Sequence, residues 1–318
     1  MENKIKYINI SATNRCNLAC VMCDIWREKS KTDLSLEMVQ KVLNAKCLDK
    51  KLDITLTGGE LFLHKGLWQI TDAILTKNHR WLKGISTNGT RTKDVLRFLR
   101  DFSGKLPSDF SFHISLDGIN CHDAQRGKSM SKILDTINMI KNFHPSFGIK
   151  IKFTITSVNY RDIIPTFRFC QENGLDFRVK LAEYAENYTN RLDRQDFMFD
   201  DAARKSIVRD LLEVRKEKLK LRDENAAFVA DTIGHLQGNP RRDVCRAPFQ
   251  RVFIMSEGDV FTCIHLSKIG NLRNETLDEV WGSSSAEKQR NTVMQEGCAC
   301  GVSYHNLTPG RQTPTVIP

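Results

Sequence analysis

No run of 18 apolar residues occurs anywhere in the 318-residue chain, so no helical membrane span is encoded. The N-terminus, Met1-Glu2-Asn3-Lys4, lacks an apolar signal core and enters a strand-like segment at once, so a cytoplasmic protein is expected. A basic stripe interleaved with aromatics, the mark of a nucleic-acid surface, is also missing. The Lys and Arg are spread along the chain, and their densest group, Arg215-Lys216-Glu217-Lys218-Leu219-Lys220, reads as a solvated helix face. The formal charge of +10 therefore favours phosphate, carboxylate or acidic peptide partners over nucleic acid.

What the chain does have is cysteine, ten in all. In a reducing compartment these read as metal ligands or buried thiols. Cys16, Cys20 and Cys23 form C-x3-C-x2-C in a loop behind the apolar stretch Tyr7-Ile8-Asn9-Ile10. A cubic four-iron cluster usually takes four Cys ligands, so a triplet leaves one iron open to something that is not protein. Zinc competes, but its sites usually pair two CxxC motifs or add His, and this loop holds no His. A second group, Cys245, Cys263, Cys298 and Cys300, lies near the other end. Phe253-Ile254-Met255 and Val260-Phe261-Thr262 flank Ser256-Glu257-Gly258-Asp259, a β-hairpin pattern with a glycine turn. The four thiolates make a cage that suits either zinc or a 4Fe–4S cluster. Cys47, Cys121 and Cys170 are singletons, and Cys47 and Cys170 fall in helical patterns as core residues.

Between these groups, β-branched apolar runs alternate with helical patterns. Strands are expected at 7–10, 52–57, 81–86, 110–116, 149–156 and 176–181, and helices at 36–45, 67–76, 92–99, 130–142 and 164–172. Ser35 is placed to start the first helix and Asn173-Gly174 to end the fifth. Six β/α units imply a parallel sheet with right-handed crossovers, too short for an eight-stranded barrel. The fold class expected is α/β, a partial (β/α)6 TIM-like barrel with a small cysteine-rich α+β domain (β-hairpin plus helix) at the C-terminus. The expected division is barrel 1–185, helical bridging segment 186–240 (201–222 being one long charged helix) and auxiliary domain 241–318, with a loose Pro- and Thr-rich tail from 308. In such barrels the active residues sit at the carboxyl ends of the strands. Those ends read Thr57-Gly58-Gly59-Glu60, Ser86-Thr87-Asn88-Gly89, Ser115-Leu116-Asp117-Gly118 and Thr156-Ser157-Val158-Asn159.

The cysteine triplet followed by these tips resembles the radical SAM superfamily. The resemblance implies a 4Fe–4S cluster on Cys16, Cys20 and Cys23 whose open iron chelates S-adenosylmethionine. Reductive cleavage, fed by a donor such as flavodoxin or ferredoxin, then yields a 5′-deoxyadenosyl radical. Gly58, Gly59 and Glu60 resemble the family's GGE motif, which holds the methionyl amine; Leu61 stands where Pro is usual. Ser86, Asn88 and Ser115 offer groups for ribose or carboxylate. Arg126 is a clamp for the methionyl carboxylate or else a surface ion pair, and Asn159 closes the adenine side. Asp117-Gly118 reads as a turn and His113 as a satisfied strand histidine. The spacing from Cys245 through Gly258 to Cys263 resembles the opening of SPASM and twitch extensions. With four cysteines the twitch form, carrying one auxiliary 4Fe–4S cluster, fits better. The closing pair is CxC rather than CxxC, so His265 or His305 could stand in for one ligand.

The reaction expected is hydrogen abstraction from an unactivated C–H bond of a polar small molecule (a sugar, aminocyclitol or nucleotide-linked group), ending in oxidation or epimerisation with help from the auxiliary cluster. The lack of room for a leader-binding domain before the first strand favours this. The alternative is a maturase acting on a ribosomally made peptide. Cys121, just after the fourth strand, is the candidate hydrogen donor, against a plain half-buried thiol.

Overall fold

The computed structural model describes residues 3–144, 146–182, 185, 199–239 and 245–297. Nine strands form one sheet in the order β6-β5-β4-β3-β2-β1-β7-β8-β9. The first six are β1 (Ile5–Thr13), β2 (Leu48–Gly58), β3 (Leu82–Thr87), β4 (Ser111–Ser115), β5 (Gly148–Ile155) and β6 (Asp176–Leu181). All are parallel, joined through α1 (Leu36–Leu43), α2 (Leu67–Asn78), α3 (Thr92–Phe102), α4 (His122–Arg126), α5 (Met130–Phe143) and α6 (Ile163–Glu172).

Local chemistry places the ends of these elements. The Ser35 side chain accepts from the Met38 amide at 3.2 Å and starts α1. Gly174 at φ +62° takes the left-handed conformation that closes α6. Cys170 is buried in the core as expected, whereas Cys47 lies in the turn before β2, its amide donating to Asp278 at 2.7 Å. There, Asp278 caps a turn that helical periodicity could not reveal.

Strand alternation decides what faces the helices. Ile8, Ile10, Ile54, Leu56, Ile85, Phe112, Ile114, Ile151, Phe153, Phe177 and Val179 pack into one core with the inner sides of the helices. Phe98 of α3 meets Phe62, Trp68 and Phe112 edge-on at 5.9–6.4 Å. Each such side chain contributes roughly 1.5–3 kcal/mol by burial. The opposite, inner face is left to the intervening residues.

Two further helices, α7 (Asp201–Lys220) and α8 (Asn225–Leu236), follow the barrel. Then α9 (Ala247–Gln250) leads into β7 (Arg251–Ile254), which pairs in parallel with β1. β8 (Asp259–Phe261) turns back antiparallel on β7, and β9 (Gly270–Asn271) on β8. The expected hairpin is therefore continuous with the barrel sheet. Two helices complete the unit, α10 (Leu277–Trp281), opened by a Thr276–Glu279 capping box, and α11 (Ser284–Glu296).

Candidate active site

The cysteine loop leaves β1 and crosses the carboxyl ends of the strands. Asn14 accepts from the Thr32 amide at 2.8 Å and donates to the Ser30 carbonyl at 2.8 Å, closing the loop's base. Asn17 bonds Asn88 and Thr90 at the β3 tip at 2.9 and 2.8 Å. The Val21 amide donates to Gln125 of α4 at 3.0 Å. Cys20 and Met22 pack with Ala182 at the β6 tip. The triplet is thus hung over the mouth by contacts around its rim. The auxiliary hairpin meets the same base, since Thr32 donates to Glu257 at 2.6 Å.

Gly58 and Gly59 are placed beneath this loop. A Cβ at Gly58, whose φ is +148°, would collide with the Thr13 carbonyl, and one at Gly59 with the Arg15 carbonyl. That closeness lets the amides of Gly59 and Glu60 donate to Thr13 and Arg15 at 2.8 and 2.7 Å. The glycines therefore seat the tip against the cysteine loop. Glu60 is fully buried, and its carboxylate accepts from the Thr87 hydroxyl at 2.8 Å, the Asn88 amide at 2.7 Å and the Phe62 amide at 3.1 Å. It braces β2 to β3 and caps the short turn that begins at Leu61. Burial raises its pKa, opposed by these donors.

Several expected ligand residues prove to be braces. Asn88 is buried; its amide donates to Asn17 and its carbonyl takes the Thr90 amide and hydroxyl. Asn159, expected beside adenine, is wholly buried, its amide donating to the Asp117 and Thr154 carbonyls at 2.9 Å and accepting from the Thr156 amide at 2.8 Å. A side chain with no exposed surface reaches no adenine, so its place is in the loop. Ser86 and Ser115 differ: both are partly exposed, and no hydrogen bond engages either hydroxyl among the described residues.

Arg126 is no surface ion pair. Its side chain is 13% exposed and pairs with wholly buried Asp117, which also takes the Thr154 amide at 2.7 Å and Gln125 at 3.0 Å. One terminal nitrogen of Arg126 lies 3.8 Å from the Cys20 sulfur. Burial works against the guanidinium charge, but Asp117, Cys20 and Cys23 outweigh it and raise its pKa. Asp117, read as a plain turn residue, is thus the anchor of Arg126, a role fixed only once α4 folds back over β4. The Cys121 amide donates to Asp162 at 2.7 Å, and burial with that carboxylate keeps the thiol protonated. His113 bonds Ser111 at 3.1 Å, and its ring lies against Gly84, where a Cβ would approach within 2.8 Å.

The thiols of the triplet fit a cluster. Burial raises the Cys16 pKa to about 11, with Cys20, Glu60 and Cys23 adding repulsion, and burial raises that of Cys20 as well. Thiols desolvated and crowded in this way hold their protons until cationic iron binds, whose bond deprotonates a thiol outright. Among the described residues no three His, Cys, Asp or Glu side chains are grouped to share one metal ion. A cubane asks no such convergence, because each thiolate binds a different iron. Cys245 and Cys263 are buried side by side with Ala247 and Val293, whereas Cys298, Cys300 and His305 lie outside the described residues.

The inner face below the loop is polar, which the sequence reading missed. Register aligns His113 with Lys150 and Ser115 with Lys152, then Lys150 with Asp176, Lys152 with Arg178 and Thr154 with Lys180. The alternation Lys150-Ile-Lys152-Phe-Thr154 was the available signal. A surface hollow of about 500 Å³ beside Leu75, His79 and Lys105 lies at the opposite ends of the strands, away from these residues. Among the described residues no helix is long and apolar enough to cross a membrane.

Known proteins share this layout. A GTP 3′,8-cyclase of Aliarcobacter butzleri is 24% identical over 284 residues, covering 85% of this chain and 84% of the cyclase. The fold superposes on anSMEcpe with bound AdoMet at a TM-score of 0.67 and 16% identity, covering 92% of this chain and 84% of that one. It superposes on Streptococcus suis SuiB bound to its precursor peptide SuiA at 0.65 and 18%, covering 91% and 67%. Residues 245–301 match the SPASM iron–sulfur cluster-binding domain. Residues 10–170, from the strand that launches the cysteine loop to the sixth helix, match the radical SAM superfamily, and the chain belongs to that superfamily, as an enzyme that uses a 4Fe–4S cluster and S-adenosylmethionine and carries a second iron–sulfur domain.

Proposed function

We propose that the chain abstracts hydrogen from an unactivated C–H bond of a polar, anionic small molecule, leading to oxidation or epimerisation. The observation that carries this reading is the polar, cation-rich inner wall directly below the cysteine loop. The bound cluster and S-adenosylmethionine supply the 5′-deoxyadenosyl radical. The chain's own residues position the reactants around it. Cys16, Cys20 and Cys23 would hold the cluster. The tip Gly58-Gly59-Glu60 would present its backbone to the methionyl amine, with Glu60 holding the tip in shape. Ser86 and Ser115, whose hydroxyls take no hydrogen bond among the described residues, would serve ribose or carboxylate. Arg126, fixed by Asp117, keeps unused N–H donors for the methionyl carboxylate. Cys245, Cys263, Cys298 and Cys300 would hold the auxiliary cluster, in a reducing cytoplasm with flavodoxin or ferredoxin as electron source.

The Aliarcobacter relative is a GTP 3′,8-cyclase, so nucleotides head the candidate substrates. A peptide substrate is the second reading, favoured by the likeness to SuiB bound to its precursor peptide. The test is anaerobic incubation of reconstituted enzyme with S-adenosylmethionine, dithionite and deuterated candidates. Deuterium in 5′-deoxyadenosine identifies the substrate; no 5′-deoxyadenosine under any condition refutes the radical reading.

A further inference from the structure

The inner wall of β4–β6 is charged unevenly from floor to mouth. At the floor, charges are matched. Arg178 pairs with Asp176 at 2.6 Å, and Lys218 of α7 reaches Asp176 at 3.5 Å and Asp223 at 2.6 Å. Nearer the mouth the Asp117 carboxylate, which takes the Thr154 amide at 2.7 Å, is already paired with Arg126. Lys152 sits between Ser115 and Arg178 in register, and Lys180 stands one step above Arg178 on the same face. Neighbouring strands are only about 5 Å apart, so these cations crowd one another. Neither Lys152 nor Lys180 makes an ion pair or side-chain hydrogen bond among the described residues. Burial, then Arg178, Lys150 and Lys180, lower the Lys152 pKa to about 7, with Asp176 the weak opposing charge. His113, held neutral by burial beside the same lysines, brings no countercharge.

A cation half-enclosed among cations is costly unless something absent from the chain neutralises it. Such unbalanced groups in a cleft mark ligand sites. We propose that Lys152 and Lys180, backed by Arg178 and Lys150, form a subsite on the inner wall of β5 and β6 that binds a phosphate group of the substrate. Phosphate fits better than a carboxylate because several cations here lack partners, and a phosphate brings up to two charges and three acceptor oxygens. Calling its occupant the substrate rests on the radical-enzyme reading; the subsite itself rests on the wall.

The experiment is calorimetric titration of anaerobically reconstituted holoenzyme, with S-adenosylmethionine present, using inorganic pyrophosphate as probe and citrate as the carboxylate comparison. Wild-type protein is expected to bind pyrophosphate and to prefer it to citrate. Lys152→Gln should weaken binding tenfold or more, Lys152→Arg should stay within a few-fold of wild type, and Lys180→Gln should lose several-fold. Lys205→Gln, on the exposed side of α7, should bind as wild type does. Lys180 is exposed, so its variant keeps the test alive if Lys152→Gln fails to fold. Unchanged affinity in both glutamine variants, an equal loss in Lys205→Gln, tighter citrate binding, or no pyrophosphate binding by wild type would each overturn the proposal. Substrate-free formation of 5′-deoxyadenosine by the same wild-type batch reports the radical reading separately, so failure of one does not look like failure of the other.

Discussion

Replacing Lys152 by Met should make the resting protein more stable. The perturbation removes one ammonium and keeps an unbranched side chain of similar length. In the fold, Lys152 faces Arg178, Lys150 and Lys180, with Asp176 below and neutral His113 on the adjoining strand. Burial and these cations bring its pKa from 10.5 to about 7, which corresponds to roughly 5 kcal/mol against the charged form. Water in the inner face screens part of this, so about 2 kcal/mol is the working figure. The sign follows from proton binding. Between about pH 7 and 10.5 the unfolded chain holds a proton that the folded chain has released, so wild-type stability rises with pH across that window. Below about pH 7 the full penalty applies. The variant's advantage should therefore be largest near pH 6.5, roughly 3–6 °C in melting temperature, and should shrink by pH 9.5. Anaerobic scanning calorimetry of both reconstituted proteins at the two pH values reads this directly. Carbon-13 methylation and NMR titration give the lysine pKa itself. A Lys152 ammonium titrating near its ordinary value, or a variant no more stable at pH 6.5 than wild type, would refute the reasoning.

Three other outcomes are expected. Changing Cys16, Cys20 and Cys23 to Ala should abolish 5′-deoxyadenosine formation and remove roughly four irons per chain, whereas Cys245 and Cys263 to Ala should lower iron by one cluster and leave some cleavage; full iron in the second variant means the auxiliary site is misassigned. Arg126→Gln removes a cation 3.8 Å from the Cys20 sulfur, so the cluster's midpoint potential, followed by EPR, should fall by about 50 mV or more, with Arg126→Lys recovering part of it; an unmoved potential would remove the guanidinium's influence on the cluster. Glu60→Ala strands the Thr87, Asn88 and Phe62 donors, about 1–3 kcal/mol each, and should lower thermal stability while loosening S-adenosylmethionine binding; Glu60→Gln, which keeps an acceptor oxygen, should recover part of the stability in the same melts, and equal melts of wild type and both variants would remove the brace.

How far the sequence was legible depended on the range of the interaction. The six parallel strands, the Ser35 cap and the Gly174 stop are written in residues a few positions apart, and they stand where periodicity and capping rules put them. The cysteine triplet was readable for the same reason. The roles of Glu60, Asn88 and Asn159 were not. A carboxylate or amide at a strand tip serves a ligand or a neighbouring tip equally well on chemistry alone, and only the approach of β2 to β3, or of the 156–159 turn to Asp117, decides. Pairing of β7 with β1 joins residues more than 240 positions apart, a contact no local pattern encodes. The short helix α4 was missed because five residues carry too little periodicity, yet it is what swings Arg126 back toward Cys20.

The inner face carries the larger lesson about how such a barrel works. A closed eight-stranded barrel packs its interior with branched apolar side chains and keeps its chemistry on the rim. With six strands in the barrel proper and a hairpin continuing its sheet from β1, the inner face is instead lined by polar residues that align in pairs across neighbouring strands, Asn9 with Thr55, Ser86 with His113, His113 with Lys150 and Lys152 with Arg178. None contributes to the apolar core, which lies wholly on the helical side. Apolar packing and site chemistry are thereby assigned to alternate positions of the same strands, and the inner face can be recharged, at the electrostatic cost seen at Lys152, without opening a cavity in the core. Substitutions at Lys150, Lys152 or Lys180 can retune what the enzyme accepts, while Ile151 and Val179 one position away keep the strands in place.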